Sequence, residues 1–402
     1  MAVVNRIGLS TRLGPALEDK PRVAIVGGGI GGVTAAIFLQ RAGFPVKVYD
    51  QAPAFARVGA GINLAPNGMR VLESLGLGDA LAAVGVRPRT KLSREWQSGE
   101  ILFTVPVDDL VALYGAPFMA FHRGDLQEVL VGALDPDTLV FGKRLVGLET
   151  RGEANTLAFA DGTNAEADIV IGADGVHSKV REALFGAAAP HYHGLIAYRA
   201  IFPTARLGGT DIVDNTKWWA PDRYFLNYFM SERRDELYFV TGVPAVWEHS
   251  DFSPRAASKE EVRAAFEGFH PEVQAMIEAA DEISSWAMLE RDPFTPWSEG
   301  NAVLLGDSCH ATTPHMGQGA GMAIEDGAML ARALDEASDV ATAFALYEAS
   351  RFERTARIQR ESHRNEWSKS SMDHKWVYGY DAVNEPLATP AGRDSAPLSL
   401  RP

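Results

Sequence analysis

Cys309 is the only cysteine in a chain of 402 residues. An intramolecular disulfide is therefore excluded, and a cysteine-based zinc site, or any metal site, is not expected. No 18 apolar residues run together, so no membrane span is expected. The first 20 residues mix Arg, Ser, Gly and Pro with scattered aliphatics and contain no secretory core, so 1–20 reads as a flexible arm. Positive charge is scarce. Lys and Arg number 38 against 52 Asp and Glu, a formal net charge of −14. Such a chain is repelled by phosphate backbones, which argues against a nucleic-acid partner. It does not argue against a small anionic substrate, because a few local cations override the global field. No internal repeat and no low-complexity tract interrupts the chain. These absences describe a cytoplasmic protein, expected as a monomer or homodimer, whose partners are small molecules.

What is present is the composition of a globular protein, 46% hydrophobic and 22% charged, at a length that suits two packed domains. Arg22 to Val26 is a short β-branched run and reads as a buried strand. A glycine-rich turn follows. Val33 to Arg41 has Ala35, Ala36 and Leu39 at helical spacing, with Gly43 as its cap. Val46 to Asp50 is a second strand, which completes a βαβ unit. Leu157 to Asp174 reads as a hairpin turning at Asp161-Gly162, then a buried strand from Asp168 to Ile171. From Ile196 to Val243 the texture changes to short alternating strands rich in Trp, Tyr and Phe, expected as an antiparallel sheet. Lys259 to Ile277 reads as one charged amphipathic helix. Ala302 to Leu305 is a buried strand, Gly319 to Leu334 a helix, and Ala341 to Lys369 a long polar helix. The tail after Glu385 is expected to be loose.

Three motifs carry chemistry. The first is Gly27-x-Gly29-x-x-Gly32, with Asp50 at the end of the next strand. Glycines there allow a tight turn, close approach of backbone to a pyrophosphate, and close packing of helix on strand. The helix start offers free N–H groups and a partial positive charge, and Asp50 is placed to accept hydrogen bonds from a ribose. This motif does not choose between NAD and FAD. The second, Asp174-Gly175, follows a strand and leads into Ser178. The third is Gly306-Asp307 after the strand Ala302 to Leu305, continuing through His310 and Pro314-His315-Met-Gly317-Gln318-Gly319 into a helix. Asp307 is placed to meet a ribityl chain, and the helix start is placed to face a flavin ring that becomes anionic on reduction.

In this order and at these separations the motifs resemble the group A flavoprotein monooxygenases, the family of para-hydroxybenzoate and salicylate hydroxylases. The resemblance covers nearly the whole chain after Arg22. His122-Arg123-Gly124-Asp125-Leu126 joins it, with Arg123 on the flavin side. Gln51-Ala-Pro-Ala-Phe55, Gly59-Ala-Gly61, Lys217-Trp-Trp219, Tyr238 to Pro244, Ala323-Ile-Glu-Asp326 and Trp376-Val-Tyr-Gly-Tyr-Asp381 look like the subgroup that hydroxylates 6-hydroxynicotinate. The resemblance implies an α/β fold. A Rossmann-like FAD domain of the para-hydroxybenzoate hydroxylase type would be assembled from 21–92, 115–192 and 296–340. An antiparallel-sheet substrate domain would come from 93–114 and 193–295, and a C-terminal helix and tail from 341–402. It also implies that NADH or NADPH reduces FAD, and that the reduced flavin uses O2 to place a hydroxyl on an electron-rich aromatic acid. Attack at the carbon bearing the carboxylate would release carbon dioxide.

The same resemblance nominates Tyr228, His315 and Pro314 as catalytic, and Asn63, Asn215, Tyr224, Tyr228 and His315 as substrate-binding. Three of these depart from the subgroup, which carries histidines where this chain has Asn63 and Tyr224, and a cysteine where it has Asn215. Asn forms hydrogen bonds but does not act as a base near neutral pH. The expected substrate is accordingly a hydroxypyridine carboxylate, 5-hydroxypicolinate or 6-hydroxynicotinate, yielding 2,5-dihydroxypyridine. A salicylate-type benzoate, or a flavin reductase of the same fold that never uses oxygen, are the alternatives. Arg199, Lys217 and Arg223 are candidates to neutralise an acid, though taken singly each is expected at the surface. Met230 and the Trp218-Trp219 pair read as packing or cavity wall, and Cys309 is assigned no reactivity.

Overall fold

The run Val23–Val26 is buried at every position, as its β-branched composition implies, and it forms the middle of a six-stranded sheet. The computed structural model describes residues 17, 20–55, 60–151, 154–249, 251–367, 369 and 373–390. Most of the expected N-terminal arm, Gly59, and the last twelve residues of the tail lie outside these. The sheet runs, in spatial order, Ser298–Glu299, Ala302–Leu304, Ile169–Gly172, Val23–Val26, Val46–Tyr49 and Leu139–Val140. Its pairings are parallel except at the Ser298–Glu299 edge. The three motifs thus leave the same ends of neighbouring parallel strands, where α/β folds bind ligands.

The helix Ile30–Arg41 begins directly after the glycine turn. Gly32 is the position that lets it do so. A Cβ there would stand 2.1 Å from the Gly27 carbonyl oxygen, so any side chain would drive the helix off the strand. The helix packs on Gly319–Glu336, which carries a fully buried charge network at its middle. Asp326 accepts from Arg351 Nε at 2.7 Å and from Gly306 N at 3.0 Å, and lies 2.6 Å from His310 Nε2. Glu325 accepts from Asn67 at 2.6 Å and from Arg354 at 2.8 Å. Each of these residues has a partner within the network, and through Gly306 N and His310 it holds the start of the 306–319 segment from beneath. It gives Ala323-Ile-Glu-Asp326 a structural task.

The second lobe is an eight-stranded sheet in the order Arg255–Ala257, Ile283–Glu290, His191–Pro203, Glu236–Pro244, Tyr224–Phe229, Asn215–Trp219, Lys91–Glu95 and Ile101–Val105. The aromatic stretch forms its centre, as its alternation predicts. The strand Lys91–Glu95 joins from far earlier in the chain and runs parallel to Asn215–Trp219. The other six pairings are antiparallel. One face of this sheet packs on helices. Phe225 lies edge-on to Phe266, and Val262, Phe266, Val273, Met276 and Ile277 share a core with Trp218, Phe225 and Phe239.

Those helices correct one expectation. The span read as a single helix from Lys259 to Ile277 is two, Lys259–Ala265 and Pro271–Ala279. Gly268 between them takes a φ of +77°, and Pro271 lacks the N–H needed to continue a helix. The long C-terminal helix, Val340–Arg364, ends at Asn365, whose φ is 51°. Among the described residues no helix is long and apolar enough to cross a membrane.

Candidate functional site

The unpacked face of the eight-stranded sheet and the motif ends of the six-stranded sheet enclose one cavity of about 900 Å³. Gly27, Gly29, Gly32, Asp50, Arg123, Asp174, Gly175, Asp307, Gly317 and Gly319 all line it. So do Pro314, His315, Asn63, Asn215, Tyr224 and Tyr228. Gln318 alone of the nominated residues does not. Its side-chain oxygen instead accepts from Asn67 Nδ2 at 2.9 Å, inside the core.

At the motif end the acids divide into two kinds. Asp50 accepts from Gly28 N at 2.7 Å and from Ala52 N at 2.8 Å, so its carboxylate clamps the glycine turn as well as facing the cavity. Asp174 accepts from Lys179 N at 2.6 Å and Val180 N at 3.2 Å, capping the next helix and leaving backbone toward the cavity. Asp307 differs. It is enclosed, burial pushes its carboxyl upward, and His310 and Arg123 pull it back. No hydrogen bond reaches that carboxylate from the described residues. An enclosed acid without a donor fits a ligand that brings hydroxyls. Gly29 has no atom within 4 Å of the place its Cβ would take, which leaves open space at the start of a helix for a diphosphate. Arg123 adds a cation at the mouth.

The sheet end is built by alternation. Asn215 and Lys217 lie two residues apart on one strand and so share a face. Tyr224, Leu226 and Tyr228 do the same on the next strand, and Tyr238 and Val240 on the third. Gly61 closes this floor. Its missing Cβ would stand 2.6 Å from the rings of both Tyr228 and Tyr238, so glycine is what lets those rings reach the cavity. Burial raises the hydroxyls of Tyr224, Tyr228 and Tyr238 above their usual range, so each stays protonated at neutral pH.

Six polar atoms on cavity-lining residues are buried without a partner among the described residues: Asn63 Oδ1, Arg199 Nε, Asn215 Nδ2, Thr312 Oγ1, His315 Nε2 and Trp367 Nε1. The His315 ring is oriented from behind. Its Nδ1–H donates to the Ser362 carbonyl at 2.8 Å, which leaves Nε2 as a bare acceptor. Burial, and then the nearby Lys217, lower this imidazole to about 3. It is therefore neutral, a hydrogen-bond acceptor rather than a cation for a carboxylate.

The cations were the least legible part of the site. Lys217 is buried, with its amine 3.9 Å from the Trp219 ring centre and 4.2 Å from that of Tyr224. Lys91 lies 4.3 Å from the Phe118 ring, and its enclosed amine is lowered to about 8. Arg199 sits over Trp286 at 4.7 Å. All three line the cavity, contrary to the surface location expected of Lys217 and Arg199. Arg223 turns away to Asp222 and the Ala265 carbonyl. The missed signal for Lys217 was its phase with Asn215. Lys91 gave none, because its strand pairs across more than a hundred residues. Trp218 and Met230 pack in the core, and the Cys309 thiol donates to the Gly306 carbonyl at 3.3 Å.

The sequence pattern of the family described as FAD binding domain matches residues 20–362. The chain is 49% identical over 387 residues to a 6-hydroxynicotinate 3-monooxygenase of Pseudomonas fluorescens, covering 94% of this chain and 100% of that one. It is 37% identical to a 3-amino-4-hydroxybenzoate 2-monooxygenase of Streptomyces cremeus, covering 85% and 86%. Among solved structures it is similar to Klebsiella pneumoniae HpxO complexed with FAD and uric acid, with a TM-score of 0.77, 27% identity and coverage of 89% and 90%. A salicylate hydroxylase substrate complex shares the fold, with a TM-score of 0.76, 24% identity and coverage of 92% and 99%.

Proposed function

We propose that this chain, which belongs to the family of FAD-dependent aromatic-ring monooxygenases, hydroxylates a hydroxypyridine carboxylate with loss of carbon dioxide. For 5-hydroxypicolinate or 6-hydroxynicotinate the reaction consumes the acid, O2, a reduced nicotinamide and one proton. It releases 2,5-dihydroxypyridine, carbon dioxide, oxidised nicotinamide and water. The observation that carries this reading is the charge of the sheet end. The eight-stranded sheet gives the cavity three basic side chains, Lys91, Arg199 and Lys217, and no carboxylate, while the acids Asp50, Asp174 and Asp307 stand at the motif end. A flat anionic ring suits aromatic walls and basic groups that lack a counter-charge. The activity of the Pseudomonas fluorescens relative on 6-hydroxynicotinate, at 49% identity, supports the ring class.

Gly27, Gly29, Gly32, Asp50, Arg123, Asp307 and the backbone at 174–175 and 317–319 would hold FAD. When bound and reduced, FAD supplies the oxygen-transfer chemistry. The chain's own residues do the rest. His315 Nε2 accepts the hydrogen of the substrate's ring hydroxyl, which enriches the ring in electrons. Tyr228, kept protonated, donates a hydrogen bond to the opposite edge, and Asn63 and Asn215 fix which polar edge faces which wall. The aromatic floor excludes water from the reacting carbon.

The test is a panel. The purified holoenzyme is given NADH or NADPH with 5-hydroxypicolinate, 6-hydroxynicotinate or salicylate, and oxygen uptake, carbon dioxide and 2,5-dihydroxypyridine are measured. Oxygen uptake matched to carbon dioxide with a hydroxypyridine acid is expected. Turnover of salicylate alone would replace this reading with the benzoate one. Substrate reduction without oxygen uptake would replace it with the reductase one.

A further inference from the structure

Lys217 is a buried cation without a counter-charge. The charged groups that act on it are Lys91 on the adjoining strand and Lys369 beyond the C-terminal helix, and both oppose its charge. Lys369 approaches the same Trp219 ring, at 4.9 Å. The other titratable groups facing this part of the cavity are Tyr224, Tyr228 and Tyr238 on the neighbouring strands, His315 on the motif loop and Arg199 across the sheet. None is a carboxylate. Ring faces at 3.9 and 4.2 Å recover less for a desolvated cation than burying its charge costs. Burial and like-charged neighbours therefore hold the amine well below its ordinary range, and a carboxylate beside it would restore its hold on a proton. Asn215 Nδ2, on the same face two residues before it, is a second donor with no partner.

We propose that Lys217 is the group on which the substrate carboxylate docks, with Asn215 beside it, and that the amine takes up one proton from solvent as the acid binds. The inference rests on the aromatic-acid reading above. It adds a specificity-determining residue. The carboxylate supplies the missing counter-charge, so acid and proton enter together. An uncharged analogue supplies none and has no such hold.

The experiment follows binding to the oxidised holoenzyme through the flavin absorbance, without turnover. The ligands are 5-hydroxypicolinate, 6-hydroxynicotinate and the two matching carboxamides. Lys217→Met, which keeps the volume and removes the amine, is expected to weaken the acid by roughly 10- to 100-fold and to leave the carboxamide unchanged. Lys217→Arg keeps a cation and is expected to retain the preference for acid over amide. In weakly buffered solution near pH 8 with an indicator dye, wild type is expected to take up a proton on binding the acid, and Lys217→Met is not. Equal acid affinity in wild type and Lys217→Met overturns the assignment, as does equal weakening of acid and amide. Absence of proton uptake in wild type overturns the coupling, whether or not the variants fold. If no ring acid perturbs the wild-type flavin spectrum, the aromatic-acid reading falls and this inference with it.

Discussion

At the motif end of the cavity the chain turns mostly backbone toward its ligand, and at the sheet end it turns side chains. The first end is made from glycines and helix starts in three short segments, each next to a parallel strand. The second is made from every other residue of strands that come from 91–105, 191–244 and 283–290. The difference teaches where change is tolerated. A backbone cradle offers few substitutions that preserve it, because an added atom meets another backbone atom. A side-chain wall offers many, because each position is exchanged separately.

The most severe way to break the comparison is Gly32→Val. With 2.1 Å between its Cβ and the Gly27 carbonyl oxygen, the protein is expected to lose FAD entirely on gel filtration and to fall in soluble yield. A yellow, well-folded variant would show that the cradle is not rigid. Gly61→Ala is the counterpart at the sheet end. Its Cβ meets two tyrosine rings rather than backbone, and such overpacking costs about 1–3 kcal/mol. FAD should be retained while kcat/KM falls roughly 10- to 100-fold.

Asp307→Ala tests the one side chain the cofactor end leaves without a donor. Loss of that contact should weaken FAD by about one to two decades, read by fluorescence titration of the apoprotein. Full retention would remove Asp307 from the contact. Asn63→His is expected to shift the ratio of kcat/KM for 6-hydroxynicotinate over 5-hydroxypicolinate upward by about one decade. The shift should be partial, because Tyr224 and Asn215 also line the cavity. An unchanged ratio would take Asn63 out of the substrate wall.

The smallest effect is on stability against pH. His315 is held near about 3 in the fold, against 6.5 for a free imidazole. Between those values the unfolded chain binds a proton that the folded one does not. The stabilisation is complete above pH 6.5 and is lost as pH falls toward 3, by about 1.4 kcal/mol per pH unit. His315→Gln should therefore show a shallower decline of Tm between pH 6.5 and 4.5. Parallel curves would place His315 in a wetter setting than its contacts indicate.

The cofactor end was readable because its constraints are local. Gly27, Gly29, Gly32 and Asp50 fall within one βαβ unit, and Asp174-Gly175 and Gly306-Asp307 each follow an apolar run. The aromatic sheet was readable as texture. Its register was not, so Lys217 and Arg199 passed for surface cations and the strand Lys91–Glu95 was not placed beside Asn215–Trp219. Asn63, Asn215, Tyr224, Tyr228 and His315 were nominated by resemblance, and nothing in their spacing alone would have gathered them. Gln318 shows a different division. It stands inside a cofactor motif, and its side chain serves the Asn67 network, because a motif fixes backbone and leaves each side chain to its neighbours. The break at Gly268 and Pro271 was in plain view, and helical periodicity on either side concealed it.

The alternation of the eight-stranded sheet has a consequence for descent. Asn215, Lys217, Tyr224, Leu226, Tyr228, Tyr238 and Val240 look into the cavity, while Trp218, Phe225 and Phe239 between them look into the helix-backed core. The two sets are interleaved along the chain but meet different surroundings. Mutations that alter ligand choice can therefore accumulate on one face without passing through unstable intermediates on the other. A lineage can drift from one ring acid to another by single steps, each folded and each still loaded with its cofactor. Asn215 and Tyr224, both on the cavity face, stand where such a path would run.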